Sequence, residues 1–224
     1  MPTMSEAIRS SLWARSLTPD ELARVQATVV ERSAAIDEHV CRIGEVVDAW
    51  VGVIEGLVKL CAVSPEGKSV TLTCVPAGGW FGEGSLLKDQ TRKYDAIALR
   101  KSRIAFVPRQ TFAWLLDSNI GFNRFLLHQL NERLGLFIEM IETDRLLDPD
   151  TRVARCLAGL FNPYLYPGVQ QRLQLSQEET GHLCGLSRQR ANQALQVLAK
   201  AGILEVEYGQ ITVLDLDALR GFRR

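Results

Sequence analysis

The sequence predicts an α+β fold in three parts: an antiparallel β-roll, a long dimerisation helix and a C-terminal winged helix–turn–helix. Three observations predict it. Short β-rich runs with glycine-containing turns fill residues 40–108. Apolar residues at three- and four-residue steps run through 120–141. A capped helix, a glycine turn, a second capped helix and a hairpin pattern then occupy 176–214.

The elements follow in order. At "TPDEL" (18–22), Thr18 and Glu21 make a capping box and Pro19 suits the first turn, so a helix runs to about residue 30. "AWVGVIEGLVKLCAV" holds two strands broken at Glu55-Gly56. "SPEGKSVTLTCV" places a turn at Pro65-Glu66-Gly67, and "AIALRKSRIAFVP" supplies a last pair. Short strands at this spacing fit a small antiparallel barrel or roll. From 109 to 144 the period is helical. Leu127, Leu130, Leu134, Phe137 and Ile141 form a seam that Ile120 extends backwards, with charges of both signs on its flanks. Such a stripe suits a dimer interface, or a helix packed on the roll. Asp148-Pro149 stops the helix, because a residue before proline avoids the helical region, and a hinge is placed at Leu147–Thr151. A further helix, "TRVARCLAGLF", and a loop, "NPYLYPG", come next. The chain is thus read as a roll (1–118), a dimerisation helix with hinge (119–146) and a C-terminal helix–turn–helix region (147–224).

The last fifty residues carry the most specific signal. Ser176 and Glu179 form a capping box, Gly185 permits a tight turn, and Ser187 caps a second helix. That helix has Ala191, Ala194, Leu195 and Leu198 on one side, and Arg188, Gln189, Arg190, Asn192 and Gln193 in its first turns. Arginine can bond guanine O6 and N7 in a bidentate way, and Gln and Asn can do the same for adenine N6 and N7. Ser176, Gln177 and Ser187 join these as candidate DNA-contacting residues, since caps and helix starts suit phosphates. "ILEVEYGQITVL" turns at Tyr208-Gly209-Gln210 as a wing.

Bulk properties bound the reading. The 26 basic and 26 acidic residues balance, which excludes a strongly basic nucleic-acid coat but not a local basic face. The N-terminus has no continuous apolar run, and no stretch approaches a membrane span of ~20 residues, so a cytoplasmic protein without membrane partners is expected. Cys41, Cys61, Cys74, Cys156 and Cys184 are scattered without a C-x-x-C, so reduced thiols are expected rather than a disulfide, zinc or iron–sulfur framework. His39, His128 and His182 lie in different elements and make a poor haem set. "GGWFGEG" lacks the Gly-Lys-Ser/Thr ending of a P-loop, and no catalytic constellation is spaced for an enzyme.

Nearly the whole chain from 20 to 215 resembles the bacterial CRP/FNR regulators. "GEVVDAWVGVIEG" (44–56), "EGKSVTLTCVPAGGWFGE" (66–83) and above all "LSRQRANQAL" (186–195) carry the likeness. The resemblance implies a cyclic-nucleotide-binding-like roll, a homodimer on double-stranded DNA, and RNA polymerase as a partner. In nucleotide-binding members a Gly-Glu pair opens a short helix at the cyclic phosphate, and a downstream Arg pairs with that phosphate. Gly82 and Glu83 match the pair, Ser85 lies in the turn, and Arg92 matches the Arg. Members that bind cyclic AMP follow the Arg with a hydroxyl and offer Thr-Ser from the long helix to the adenine. Here those positions are Lys93, Phe137 and Ile138, which argues against cyclic AMP itself. Three readings stay open: a small anionic or nucleotide effector, a roll in which Glu83 and Arg92 pair and nothing binds, and a nucleotide-binding module that does not touch DNA. No metal is implied. Gln189 and Gln193 replace a Glu and an Arg of the best-known recognition helix, so a related but different half-site is implied.

Overall fold

The computed structural model describes residues 2–63 and 69–223. The expected turn at Pro65-Glu66-Gly67 lies outside the described residues. Two compact units form, one from Met1–Glu132 with Tyr164–Gly168, the other from Arg133–Pro163 with Val169–Arg224.

The first unit begins with helix α1 (Met4–Ser10), a 3-10 turn (Leu12–Ser16) and α2 (Pro19–Thr28). Strands β1 (Val30–Ala34), β2 (His39–Cys41), β3 (Ala49–Glu55), β4 (Leu57–Val63), β5 (Ser69–Pro76) and β6 (Trp80–Phe81) follow. A short helix α3 (Glu83–Leu87), then β7 (Asp95–Ala98), β8 (Ser102–Pro108) and α4 (Arg109–Ser118) complete the roll. All pairings are antiparallel, in two sheets ordered β1-β8-β3-β6 and β2-β7-β4-β5. The roll therefore starts at Val30, ten residues before the β-rich texture becomes obvious. The β-branched pair Val29-Val30 ends α2 and starts β1, whose edge position against β8 leaves most of it exposed.

α1 escaped the sequence reading although Thr3 and Glu6 form the same reciprocal capping box as Thr18 and Glu21. α1 and the 3-10 turn after it carry Ile8 and Trp13 into the core, where both are fully buried. Trp13, Trp50, Trp80, Phe112 and Phe122 meet there with ring centroids 4.4–6.0 Å apart. Edge-on and tilted contacts of this kind suit the ring quadrupoles.

The helical stretch expected from 109 breaks at Asn119, which separates α4 from the long α5 (Ile120–Leu146). Asn119 is extended; its side-chain oxygen accepts from the Phe122 N–H at 2.8 Å, and its amide donates to Ser16 O at 3.1 Å. A side chain that caps the next helix thus replaces one backbone bond of a continuous one.

The second unit holds the rest of α5, then α6 (Pro149–Gly159), β9 (Arg172–Leu173), α7 (Gln177–Cys184), α8 (Arg188–Lys200), β10 (Leu204–Glu207), β11 (Gln210–Val213) and α9 (Leu216–Gly221). Asp148 both stops α5 and starts α6. Its carboxylate accepts from the Asp150 and Thr151 N–H groups and from the Thr151 hydroxyl at 2.6 Å. Burial pushes the Asp148 carboxyl up, but these donors together outweigh it and hold it below the ordinary Asp value. Ala191, Ala194, Leu195 and Leu198 are fully buried, as the apolar side of α8 requires.

Candidate nucleic-acid interface and anion pocket

The DNA-reading candidates sit on α7, α8 and the turn between them. Ser176 accepts from the Glu179 N–H, and Glu179 reaches back to the Ser176 N–H at 2.7 Å, so α7 opens on a full capping box. Ser176 is thereby engaged in capping, and Gln177 beside it is half-buried. Gly185 takes φ 62°, a left-handed conformation that favours glycine, and a Cβ there would lie 2.7 Å from an Arg152 guanidinium nitrogen that would have to shift. Ser187 then accepts from the Arg190 N–H and starts α8.

Ser187, Arg188, Gln189 and Gln193 are exposed, whereas Arg190 and Asn192 are half-buried. Arg190 is held at 2.6 Å by the fully buried Asp150. Gln196 and Lys200 are also exposed, and they continue the Gln189–Gln193 face at helical spacing. The sequence reading missed both, although a step of three residues beyond Gln193 reaches Gln196. Strands β10 and β11 pair from Leu204↔Val213 to Glu207↔Gln210, and Tyr208 stands fully exposed at the tip of this wing.

The anion candidates gather in the first unit. Gly82 takes φ 93° before α3, and a Cβ on it would lie 2.2 Å from Arg92 Nη1. Only glycine lets the guanidinium lie over this turn. Glu83, Ser85 and Arg92 are buried, Arg92 with 4% exposure. Arg92 is tethered by its backbone, whose N–H donates to Glu45 O and whose carbonyl accepts from the Gly44 N–H, both at 2.9 Å. Its Nη1 is buried and makes no hydrogen bond among the described residues. Burial pushes the Cys41 thiol up, and the Arg92 guanidinium offsets part of that rise. Lys93, next in sequence, is exposed. Phe137 is half-buried and Ile138 exposed, and both belong to the second unit. On α5, Leu127, Leu134 and Ile141 are exposed, while Leu130 and Phe137 are half-buried.

Comparison with known proteins agrees with this geometry. Residues 31–119 match the cyclic nucleotide-binding domain, and residues 151–222 match the Crp-like helix-turn-helix domain. The chain is 32% identical over 173 residues to the transcriptional regulator SdrP of Thermus thermophilus, covering 75% of this chain and 80% of that protein. It is 27% identical over 180 residues to a CRP-like cAMP-activated global transcriptional regulator of Mycobacterium tuberculosis, covering 79% and 80%. A solved CRP/FNR-family transcriptional regulator, also from Thermus thermophilus, shares 28% identity with TM-score 0.60, over 87% of this chain and all of that one. FixK2 from Bradyrhizobium japonicum has the same fold, with TM-score 0.73 at 20% identity over 88% and 98%. With both halves of its architecture and its recognition helix accounted for, the chain belongs to the CRP/FNR family of DNA-binding transcription regulators.

Proposed function

We propose that this regulator is a cytoplasmic homodimer that binds a pseudo-palindromic site, reading each half-site with Arg188, Gln189 and Gln193. The observation that carries the reading is the exposed polar face at the start of α8, set behind a capped α7 and a left-handed glycine. Two such helices would enter major grooves one turn, ~34 Å, apart. Ser176, Gln177 and Ser187 would lie toward the phosphates. RNA polymerase as a partner rests on the family resemblance, and catalysis has no role in the proposal. Residues 1–118 act as the sensing part, 119–146 as the dimerisation part and 147–224 as the DNA-reading part. Arg188→Ala is expected to cost about 1–3 kcal/mol of binding and to relax preference at one base pair. Selection of bound DNA from a random pool checks both; an unchanged site and affinity would remove Arg188 from the reading role.

The roll is proposed to hold a small anion, with Gly82, Glu83, Ser85 and Arg92 as its cradle and Lys93 at its rim. The buried Arg92 Nη1 supports this over a closed, ligand-independent pocket, because a buried cation gains most from a charge-assisted bond. Phe137 and Ile138 offer no base-reading hydrogen bonds, which favours recognition through phosphate over recognition through adenine. An effector acts only by binding two states of the dimer unequally. Calorimetric titration with cyclic mononucleotides is expected to show binding that Arg92→Gln weakens by roughly 10–100-fold. Absence of heat with the native protein would favour the closed pocket.

A further inference from the structure

Arg190 stands among the polar residues of the recognition helix, yet its guanidinium turns inward. It is the third residue of α8, with its side chain 30% exposed, and Nη2 lies 2.6 Å from Asp150 Oδ1. Asp150 is the second residue of α6 and has no exposed surface. The two meet as an ion pair without the angle of a directed hydrogen bond. A carboxylate so deeply buried is strongly unfavourable without a counter-charge, so the pair commits Arg190 to the protein interior.

The anchor at its other end is firm. Asp148 fixes the first turn of α6 through the Asp150 and Thr151 N–H groups and the Thr151 hydroxyl. A continuous path therefore joins the Asp148 cap, the buried Asp150, Arg190 and the first turn of α8. That turn carries Arg188 and Gln189, two residues and one residue before Arg190. Rotation of α8 about its axis would carry Arg190 away from Asp150 and swing Arg188 and Gln189 with it.

We propose that Arg190 is a positioning residue and not a base reader: its pair with Asp150 sets the rotation of α8 that presents Arg188, Gln189 and Gln193 to the groove. The proposal rests on the DNA-reading function given above, and it deepens that function by naming what holds the reading face in place.

The test uses the full chain, a duplex selected from a random pool, and a scrambled duplex of equal length. Arg190→Met, Asp150→Asn and the double variant are compared by fluorescence anisotropy, with the active fraction titrated for each. Both single variants are expected to lower the specific-to-nonspecific affinity ratio by about tenfold, with the loss spread over the half-site. The double variant removes both charges of the pair together and is expected to recover most of that ratio, since residues in one contact are coupled. A merely structural role would lower the active fraction and leave the ratio alone, which overturns the proposal. It is also overturned if Arg190→Met relaxes one base pair, Asp150→Asn does not reproduce the loss, and the double variant keeps it. If Arg190→Met does not fold, Asp150→Asn and the double variant decide by the same ratio. Failure of the native protein to select any site would instead refute the DNA-reading function itself, and that outcome is distinct from relaxation at one base pair.

Discussion

Trp50→Ala is expected to destabilise the first unit by about 3–5 kcal/mol, the range for removing a large aromatic from a packed core. Trp50 is fully buried on β3, a strand that β8 and β6 flank on either side. Its ring lies 4.4 Å from Trp80, 5.4 Å from Trp13 and 5.7 Å from both Phe112 and Phe122. Removing it therefore opens a void bordered by these rings and Phe125, contributed by the N-terminal segment, the sheet, α4 and α5. Because these borders come from different elements, the void cannot close by one local shift. A domain is stable by roughly 5–15 kcal/mol, so the loss takes a large share of the total. Trp50→Phe should be much milder, because the Trp50 indole N–H is buried without a hydrogen-bond partner among the described residues. Phenylalanine removes that cost while keeping a ring. Urea unfolding followed by circular dichroism measures both variants. A loss below about 1 kcal/mol for Trp50→Ala would mean that the aromatic cluster is not the keystone of this unit.

In the proposed homodimer, Leu134→Glu is expected to separate the protomers and to lower affinity for a two-half-site duplex by about 100-fold or more, the scale of lost bivalency. Ile120, Leu127, Leu134 and Ile141 follow one another at seven-residue steps along α5 and are 51–69% exposed in the single chain. Such a row of large apolar side chains suits a helix–helix seam, where each buried leucine contributes roughly 1.5–3 kcal/mol. Leu130 and Phe137, half-buried beside this row, would broaden it. Across a two-fold axis the substitution would face one carboxylate with another in an apolar setting, which compounds the lost burial. Sedimentation velocity reads the mass and anisotropy the affinity. A variant that stays dimeric would place the interface elsewhere.

Much of this was legible in the sequence because it is local. The Thr18–Glu21 and Ser176–Glu179 boxes, the left-handed Gly185 and the hairpin around Tyr208-Gly209 each encode their geometry within a few residues. The approach of Arg92 to the Gly82 turn was legible only through resemblance. Gly82 and Arg92 are ten positions apart, and their contact depends on how α3 and the segment before β7 return to each other. The least legible features are long-range. Nothing near Arg190 announces Asp150, forty residues away, as its ion-pair partner. The tryptophan cluster is equally silent in sequence, since Trp13, Trp50 and Trp80 come from three separate segments.

The segment Tyr164–Gly168 has a consequence for how this protein can be divided. It belongs to the first unit although the chain on both sides of it belongs to the second. Tyr164 stacks on Phe125 at 5.9 Å, the Tyr166 hydroxyl lies 3.4 Å from that of Thr73, and Leu165 and Tyr166 are almost fully buried. The polypeptide thus passes from one unit to the other three times, as a thread does in a stitched seam. No single cut liberates the first unit intact: a fragment ending after α5 would expose the bed on which these tyrosines lie. Exchange of DNA-reading halves between relatives must carry this short strap with the roll it covers, and not with the stretch of sequence in which it is written.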